Sequence, residues 1–220
     1  MAILKVAQMG HPVLREIAKP VDPQTIKTKE FQQFCEDMLE TMDEYDGAGL
    51  AAPQVHQSTR VVVLALSHGE EPEVWINPVL TPLTDEMGSM VEGCLSVAGL
   101  RGRVQRPIRL HVSFVDRNAD HRAYILQGFP AVVAQHECDH LDGILYVDRV
   151  DSKSLAFLSE YSKFGFEPLP DDSTTADVLD SEDAVIEVPA SLSTQQALQV
   201  AAEYLESATL PPSHLPEAEA

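Results

Sequence analysis

The sequence predicts a single domain that mixes helices with hairpin-forming strands and carries an appendage at its C-terminal end. Three observations predict it. A chain of 220 residues with 44% hydrophobic content can bury one sizeable core. Apolar residues recur at intervals of three and four in one stretch and alternate or cluster in β-rich runs in others. Beyond Pro168 the composition turns to Asp, Ser, Thr and Pro, as in a solvated segment.

Taken in order, Gly10-His11-Pro12-Val13-Leu14-Arg15 marks a loop ahead of the docking residues Val13, Leu14 and Ile17, and Pro20 and Pro23 interrupt any helix. From about Glu30 to Tyr45, Phe31, Phe34, Cys35, Met38, Leu39 and Met42 hold the period of an amphipathic helix, with Cys35 on the core stripe. Asp46 to Gln54 follows, rich in Gly and Ala, so that the backbone can approach another group closely. It lacks the Gly-Lys-Ser/Thr ending of a phosphate cradle.

Val61 to Leu66 reads as a buried strand, and Val74 to Ile76 as a second that ends at Asn77-Pro78. Leu110 to Asp116 alternates like a half-buried strand, and Ala123 to Leu126 completes a hairpin across Arg117 to His121. His68, His111 and His121 fit exposed turn or strand-face positions. Asp151 or Ser152 is placed to cap a further helix carrying Leu155, Phe157, Leu158 and Tyr161. Residues 168 to about 190 read as a linker. A short helix over 193–206 and a Pro-rich tip at Pro211, Pro212 and Pro216 complete a disordered or loosely docked tail.

The net charge is −20, and residues 168–220 hold 11 acidic residues with no Lys or Arg, which leaves 24 − 15 = 9 excess negative charges before them. An acidic surface repels phosphates, so neither a nucleic-acid groove nor an anionic membrane is expected as a partner. No apolar run approaches a membrane span, and the first residues lack the features of a signal or transit peptide, so a cytoplasmic protein is expected. A monomer is the default expectation. Three cysteines fit a reducing compartment and leave thiols for metal or chemistry.

The chemistry concentrates in Gln135-His136-Glu137-Cys138-Asp139-His140-Leu141-Asp142-Gly143. On a helix, histidines four apart stand on one face and can bind one metal ion. Glu137 lies beside them, where a carboxylate can take the proton of a metal-bound water and return it to a leaving group. Phe129 to Ala134 supplies a buried first turn, Gly143 a helix end, and Asp139 or Asp142 a partner to orient an imidazole. A catalytic site takes three protein ligands and keeps a position open, and Cys94 in Glu92-Gly93-Cys94-Leu95-Ser96 is the soft candidate for the third. Cys138 points away from both imidazoles. A zinc endopeptidase with Glu160 as the third ligand, or a non-catalytic metal-binding module with an unidentified fourth ligand, are the alternatives.

Three stretches, Gly47 to Gln54, Glu92 to Ser96 and Gln135 to Gly143, stand in the order and spacing of the motifs Gly-x-Gly-x-Ala-Ala-x-Gln, Glu-Gly-Cys-Leu-Ser and Gln-His-Glu-x-Asp-His-Leu-x-Gly. Over roughly residues 1 to 165 the chain thereby resembles the peptide deformylase family. The resemblance implies an α+β fold, antiparallel strands around a central metal-binding helix, with residues 1–167 catalytic and 168–220 an acidic extension. It implies removal of the N-formyl group from the initiator methionine of nascent peptides, with release of formate. Cys94, His136 and His140 would then bind the metal, with Glu137 as general acid/base in an attack by metal-bound hydroxide. Gln54 and the backbone N–H of Leu95 would hold the oxyanion, and Gly49 would meet the substrate backbone. Met90, Phe129, Val132 and Val133 are expected to line the methionine pocket, and Glu92 to pair with Arg106 behind the metal.

A thiolate and two imidazoles suit Fe(II), Zn(II), Ni(II) or Co(II), and the family's usual metal is iron. Ala48 replaces a larger aliphatic residue and Ala98 a common proline. The acidic tail differs from the basic C-terminal helix with which some members dock on ribosomal RNA, which leaves at most a transient ribosome contact.

Overall fold

In a computed structural model that describes residues 2–66, 71–165, 176–178 and 183–208, the chain is an α+β protein built on two sheets. Its helices are α1 (Lys29–Glu44), α2 (Phe129–Leu141), α3 (Leu158–Phe164) and α4 (Thr194–Ala208). The strands are β1 (Gly49–Ala51), β2 (Val61–Leu64), β3 (Glu73–Pro82), β4 (Met87–Cys94), β5 (Val97–Pro107), β6 (Arg109–Val115), β7 (His121–Gln127), β8 (Ala156–Phe157), β9 (Ala176–Asp177) and β10 (Ala184–Val188). A six-stranded antiparallel sheet runs β1-β2-β3-β6-β7-β10, and a second runs β8-β5-β4-β9 with only the β4–β9 pair parallel.

The period-3.6 stretch forms α1, which begins at Thr28, whose hydroxyl accepts from the Phe31 N–H, and it buries Cys35, Met38 and Met42. Those side chains meet Leu50, Val61, Val63 and Ile76 on one face of the first sheet. On the other face Val62, Leu64, Trp75, Val112, Phe114 and Tyr124 receive Ala131, Ala134, Cys138 and Leu141 of α2. Helix α2 therefore lies against the sheet with one side and leaves its opposite side for the second sheet. Gly143 ends it in the left-handed region at φ 73, where an added Cβ would meet the Arg15 backbone at 2.9 Å.

Several expectations are corrected. Asn77-Pro78 does not end the second strand. It forms a bulge in β3, where Asn77 takes φ 52 and its side chain bonds both the N–H and the carbonyl of Val21. The first strand stops at Leu64 rather than Leu66. The expected helix capped by Asp151 is instead a 3-10 turn, Ser152–Ser154, followed by β8 and then by α3, none of whose residues is buried. His111 is only 8% exposed, because it shares a face with its register partner Ile125, which packs beneath α4. His121 is exposed as expected, whereas His68 lies outside the described residues.

The tail differs most. Within the stretch read as a linker, β10 adds to the edge of the first sheet by pairing antiparallel with β7. Val188 then packs with Ala197 and Ala201 of α4 over Leu83, Ala123 and Ile125. The Pro-rich tip and the start of the linker lie outside the described residues.

Candidate metal centre

Helix α2 carries His136 and His140 four positions apart, and strand β4 ends with Cys94 opposite them. The ligand atoms of the three residues all lie within 4.8 Å of one another. Cys94 Sγ is 3.3 Å from His140 Nε2. Cys94 reaches this position because β4 carries a bulge between Glu92 and Cys94, just before the tight turn to Val97. The backbone N–H of Ser96 in that turn points at the sulfur at 3.4 Å.

Gln54 comes from a 3-10 turn, Ala52–Val55, that follows β1. Its Oε1 accepts from the Ala51 N–H at 2.7 Å, which turns the amide nitrogen toward the centre, 3.5 Å from Cys94 Sγ and 3.3 Å from Ser96 Oγ. Gly49 of β1 runs against Glu137, so closely that a Cβ there would meet Glu137 Cγ at 2.6 Å and Oε1 at 2.7 Å. Glycine is required here by space, since its φ is not in the left-handed region.

Behind the histidines stands a buried ionic network. Glu92 Oε2 accepts from His136 Nδ1 at 2.8 Å, and both carboxylate oxygens of Glu92 receive the Arg106 guanidinium at 2.6 and 3.0 Å. Arg106 also donates to Asp139 at 2.8 Å, and Asp139 in turn holds Arg149 through two bonds of 2.8 Å. Asp139 and Asp142 thus do not orient an imidazole. Asp142 pairs with Arg60 instead, and the carboxylate beside His136 is Glu92.

Burial and charge set the protonation of these groups. Burial opposes the Glu92 carboxylate, yet the hydrogen bonds from His136 and Arg106 hold its pKa down at about 2. Burial pushes the pKa of Glu137 up to about 7, with the nearby Glu92 charge acting in the same direction and His136 opposing. His140 is held well below the ordinary histidine value by burial, with nearby positive charges acting in the same direction, whereas for His136 burial is outweighed by hydrogen bonds to Cys94 and Glu92, which hold it above that value.

The donor set fits a first-row transition metal. One sulfur and two imidazole nitrogens converge without a fourth protein ligand among the described residues, and Glu137 Oε2 is buried beside them with no hydrogen-bond partner. An orphaned buried carboxylate oxygen at a three-ligand cluster suits a bound water or substrate group.

A cavity of about 640 Å³ opens in front of this cluster. It brings together Gly49, Gln54, Cys94, Leu95, His136 and Glu137, and on its apolar side Met90, Phe129, Val132 and Val133. Glu92 also lines it, whereas Arg106 lines a separate cavity with Cys138 and Asp139. Glu160, the alternative third ligand, is exposed on α3 and paired with Lys163 at 3.0 Å. The sequence reading missed Ser96, which braces Gln54, and Tyr146, buried and stacked 6.1 Å from the His136 ring. Ser96 lies inside a quoted motif and could have been singled out. Tyr146 has no local signal, since its place depends on the chain returning after Gly143.

Comparison with known proteins agrees with this geometry. The family model described as polypeptide deformylase matches residues 3–156. A peptide deformylase of Leptospira biflexa is 42% identical over 164 residues, 70% of this chain and 92% of its own length. One from Stutzerimonas stutzeri is 47% identical over 153 residues, 69% of this chain and 89% of its own. Among solved structures, an actinonin-bound peptide deformylase of Acinetobacter baumannii is similar with a TM-score of 0.65 and 38% identity, over 69% of this chain and 100% of that one. The peptide deformylase of Thermotoga maritima gives a TM-score of 0.65 at 36% identity, over 69% of this chain and 99% of that one. The chain belongs to the polypeptide deformylase family, metal-dependent hydrolases that remove the N-formyl group from nascent peptides.

Proposed function

We propose that Cys94, His136 and His140 hold one divalent metal ion at the end of the cavity, Fe(II) foremost, with Zn(II), Ni(II) and Co(II) compatible with the same donors. A bound ion supplies Lewis acidity, which polarises the formyl carbonyl and makes a water acidic enough to attack near neutral pH. The observation that carries the reading is the convergence of thiol and imidazoles beside the unpartnered carboxylate of Glu137. Glu137 receives the proton of the attacking water and delivers it to the departing amine nitrogen. Gln54, its amide turned inward by the bond to Ala51, and the backbone N–H of Leu95 donate to the oxygen on which negative charge develops.

Gly49 meets the substrate backbone, because only a residue without a side chain leaves room beside Glu137. The initiator methionine side chain enters between Met90, Phe129, Val132 and Val133. Glu92 and Arg106 fix the ring of His136 and so its aim at the metal. Residues 1–167 form the catalytic unit and 168–220 an acidic extension. The protein acts in the cytoplasm as a monomer on N-formylmethionyl nascent peptides, with at most a transient ribosome contact. Among the described residues no helix is long and apolar enough to cross a membrane.

The test is anaerobic purification, metal analysis, and formate release from a formyl-Met dipeptide. Wild type releases formate, and Glu137→Ala keeps its metal and is slower by a factor of about 10² to 10⁴. Cys94→Ala loses the metal, and Glu160→Ala keeps it. A folded, fully metallated wild type that releases no formate would overturn the reading. Substituting Phe129 with a smaller residue shifts selectivity toward bulkier N-terminal side chains, and an unshifted profile removes it from the methionine pocket.

A further inference from the structure

The separate cavity that holds Arg106 has a volume of about 500 Å³, the size of a small-molecule site. Its lining comes from β3, the end of β5 and the last turns of α2, with Arg60 and Arg149 from the connections beside them. None of its described lining residues is shared with the catalytic cavity, so it is a distinct space.

Its charge runs against that of the chain. Three guanidiniums, Arg60, Arg106 and Arg149, stand in the lining with two carboxylates, Asp139 and Asp142, on a protein of net charge −20. Arg106 is engaged on all three nitrogens, by Glu92 and Asp139. Arg149 uses Nε and Nη2 on Asp139, and Arg60 uses Nη1 on Asp142. Among the described residues, Nη1 of Arg149 and Nε and Nη2 of Arg60 are left without an acceptor. With side chains 44% and 20% exposed, these two forks can turn toward an anionic oxygen that enters the cavity.

The rest of the lining selects the kind of anion. Val79, Leu80, Pro82, Met87 and Pro107 supply apolar surface, and Val79 is exposed. A hydrocarbon body buries itself there and gains by leaving water. An excess of one guanidinium balances one negative charge, and the field of an acidic protein repels polyphosphates and other polyanions.

The forks also form the outer end of a continuous ionic chain. Arg149 donates to Asp139, which also accepts from Arg106, and Arg106 donates to Glu92, which also accepts from His136. We propose that this cavity is a regulatory site for an organic monocarboxylate with a hydrocarbon body, and that its occupancy weakens the metal centre through this chain. A carboxylate on Arg149 and Arg60 loosens the hold of Arg149 on Asp139. Asp139 then draws Arg106 from Glu92, and the ring of His136 loses part of its restraint. Coupling is reciprocal, so a bound metal weakens the carboxylate by the same factor. The coupling rests on the metal reading of the centre, whereas the carboxylate site does not.

Octanoate is titrated calorimetrically into the full-length metal-loaded protein. Octyltrimethylammonium serves as the cationic control, and inorganic phosphate as the control for charge without hydrocarbon. Wild type is compared with Arg60→Met, Arg149→Met, the double variant and Val79→Glu, which sets a carboxylate at an exposed position and leaves every ion pair in place. Octanoate is expected to bind at least about tenfold more tightly than either control, and the double variant and Val79→Glu each to weaken it about five- to twentyfold. In chelator competition, saturating octanoate is expected to make the metal about two- to tenfold less tightly held. Octanoate that binds no better than the controls overturns the site. So does an affinity unchanged in every variant, the result when its carboxylate simply ligates the metal in the catalytic cavity. Octanoate weakened by the variants but without effect on metal retention overturns the regulatory role. A protein that takes up no metal removes the metal reading instead, and the dependence of octanoate binding on Arg60, Arg149 and Val79 still decides the site.

Discussion

The two sheets meet α2 from opposite sides with opposite chemistry. The six-stranded sheet offers it aliphatic and aromatic surface, centred on Trp75, which is fully buried and stacks on Phe114 at 4.6 Å. The β4–β5 hairpin offers it ions, Glu92 and Arg106, both under 6% exposed and bonded to His136 and Asp139. Apolar contact is non-directional and holds the helix down, whereas the charged groups fix one ring and one register. A buried ion pair adds little net stability over an apolar replacement, so this network is better explained by the positioning it gives than by the stability it adds.

That contrast can be broken from either side. Removing Arg106 as Arg106→Met leaves Glu92 buried without its cation, and we expect a loss of about 3 to 5 kcal/mol in denaturant unfolding. The same variant loosens His136 and lowers metal affinity by about 10- to 100-fold, read by chelator competition. Trp75→Ala is expected to cost a similar amount, about 3 to 5 kcal/mol, through the cavity it leaves. Its folded fraction should bind metal as tightly as wild type. Equal losses of metal affinity in the two variants would erase the distinction between the sheets.

A smaller and more local effect is expected at the seam. Gly49→Ala places a methyl where Glu137 already lies, and a displacement of even 1 Å in a proton-transferring group can cost about 10²-fold in kcat. Stability and metal content should change little, because the obstruction is relieved by moving the one carboxylate. Retained kcat with a displaced Glu137 would mean that its position is not critical to the reaction.

How far the sequence revealed these regions follows the same division. Helix α1, the hairpin of β6 and β7, and helix α2 were legible because each writes its own period or turn into a short window. The three motifs marked the side chains that converge, although nothing local states that residues 54, 94 and 136 meet. Strand β5 escaped notice, since its glycines and arginines show no alternation. Its arginines find partners far away, Arg106 with Glu92 fourteen residues back and with Asp139 thirty-three ahead. Asn77 looked like a terminator because Asn-Pro favours turns, and the partner that keeps it inside β3 is Val21, fifty-six residues away. Strand β10 was hidden by its acidic surroundings, for an edge strand needs only one apolar face, and Val188 supplies it.

The smallest effect concerns an ion pair outside both sheets. Arg15 holds Asp148 through a pair of bonds and also donates to the Gly143 carbonyl at 3.2 Å, tying the N-terminal segment to the end of α2. The hydrogen bond from Arg15 holds the Asp148 carboxyl below the usual range, despite slight burial, and the Leu145 N–H acts in the same direction. A carboxylate with a depressed folded pKa contributes stability above its unfolded value of about 3.9, and that contribution disappears as pH falls through the folded pKa. With side chains 46% and 39% exposed, solvent screens the pair, and Asp148→Asn is expected to cost less than about 1 kcal/mol at pH 7. The difference from wild type should close on acidification below pH about 4 and shrink in high salt. A gap that persists undiminished in acid would show that Asp148 acts by packing or by its bond to Leu145, and the charge would then have no part in anchoring the helix end.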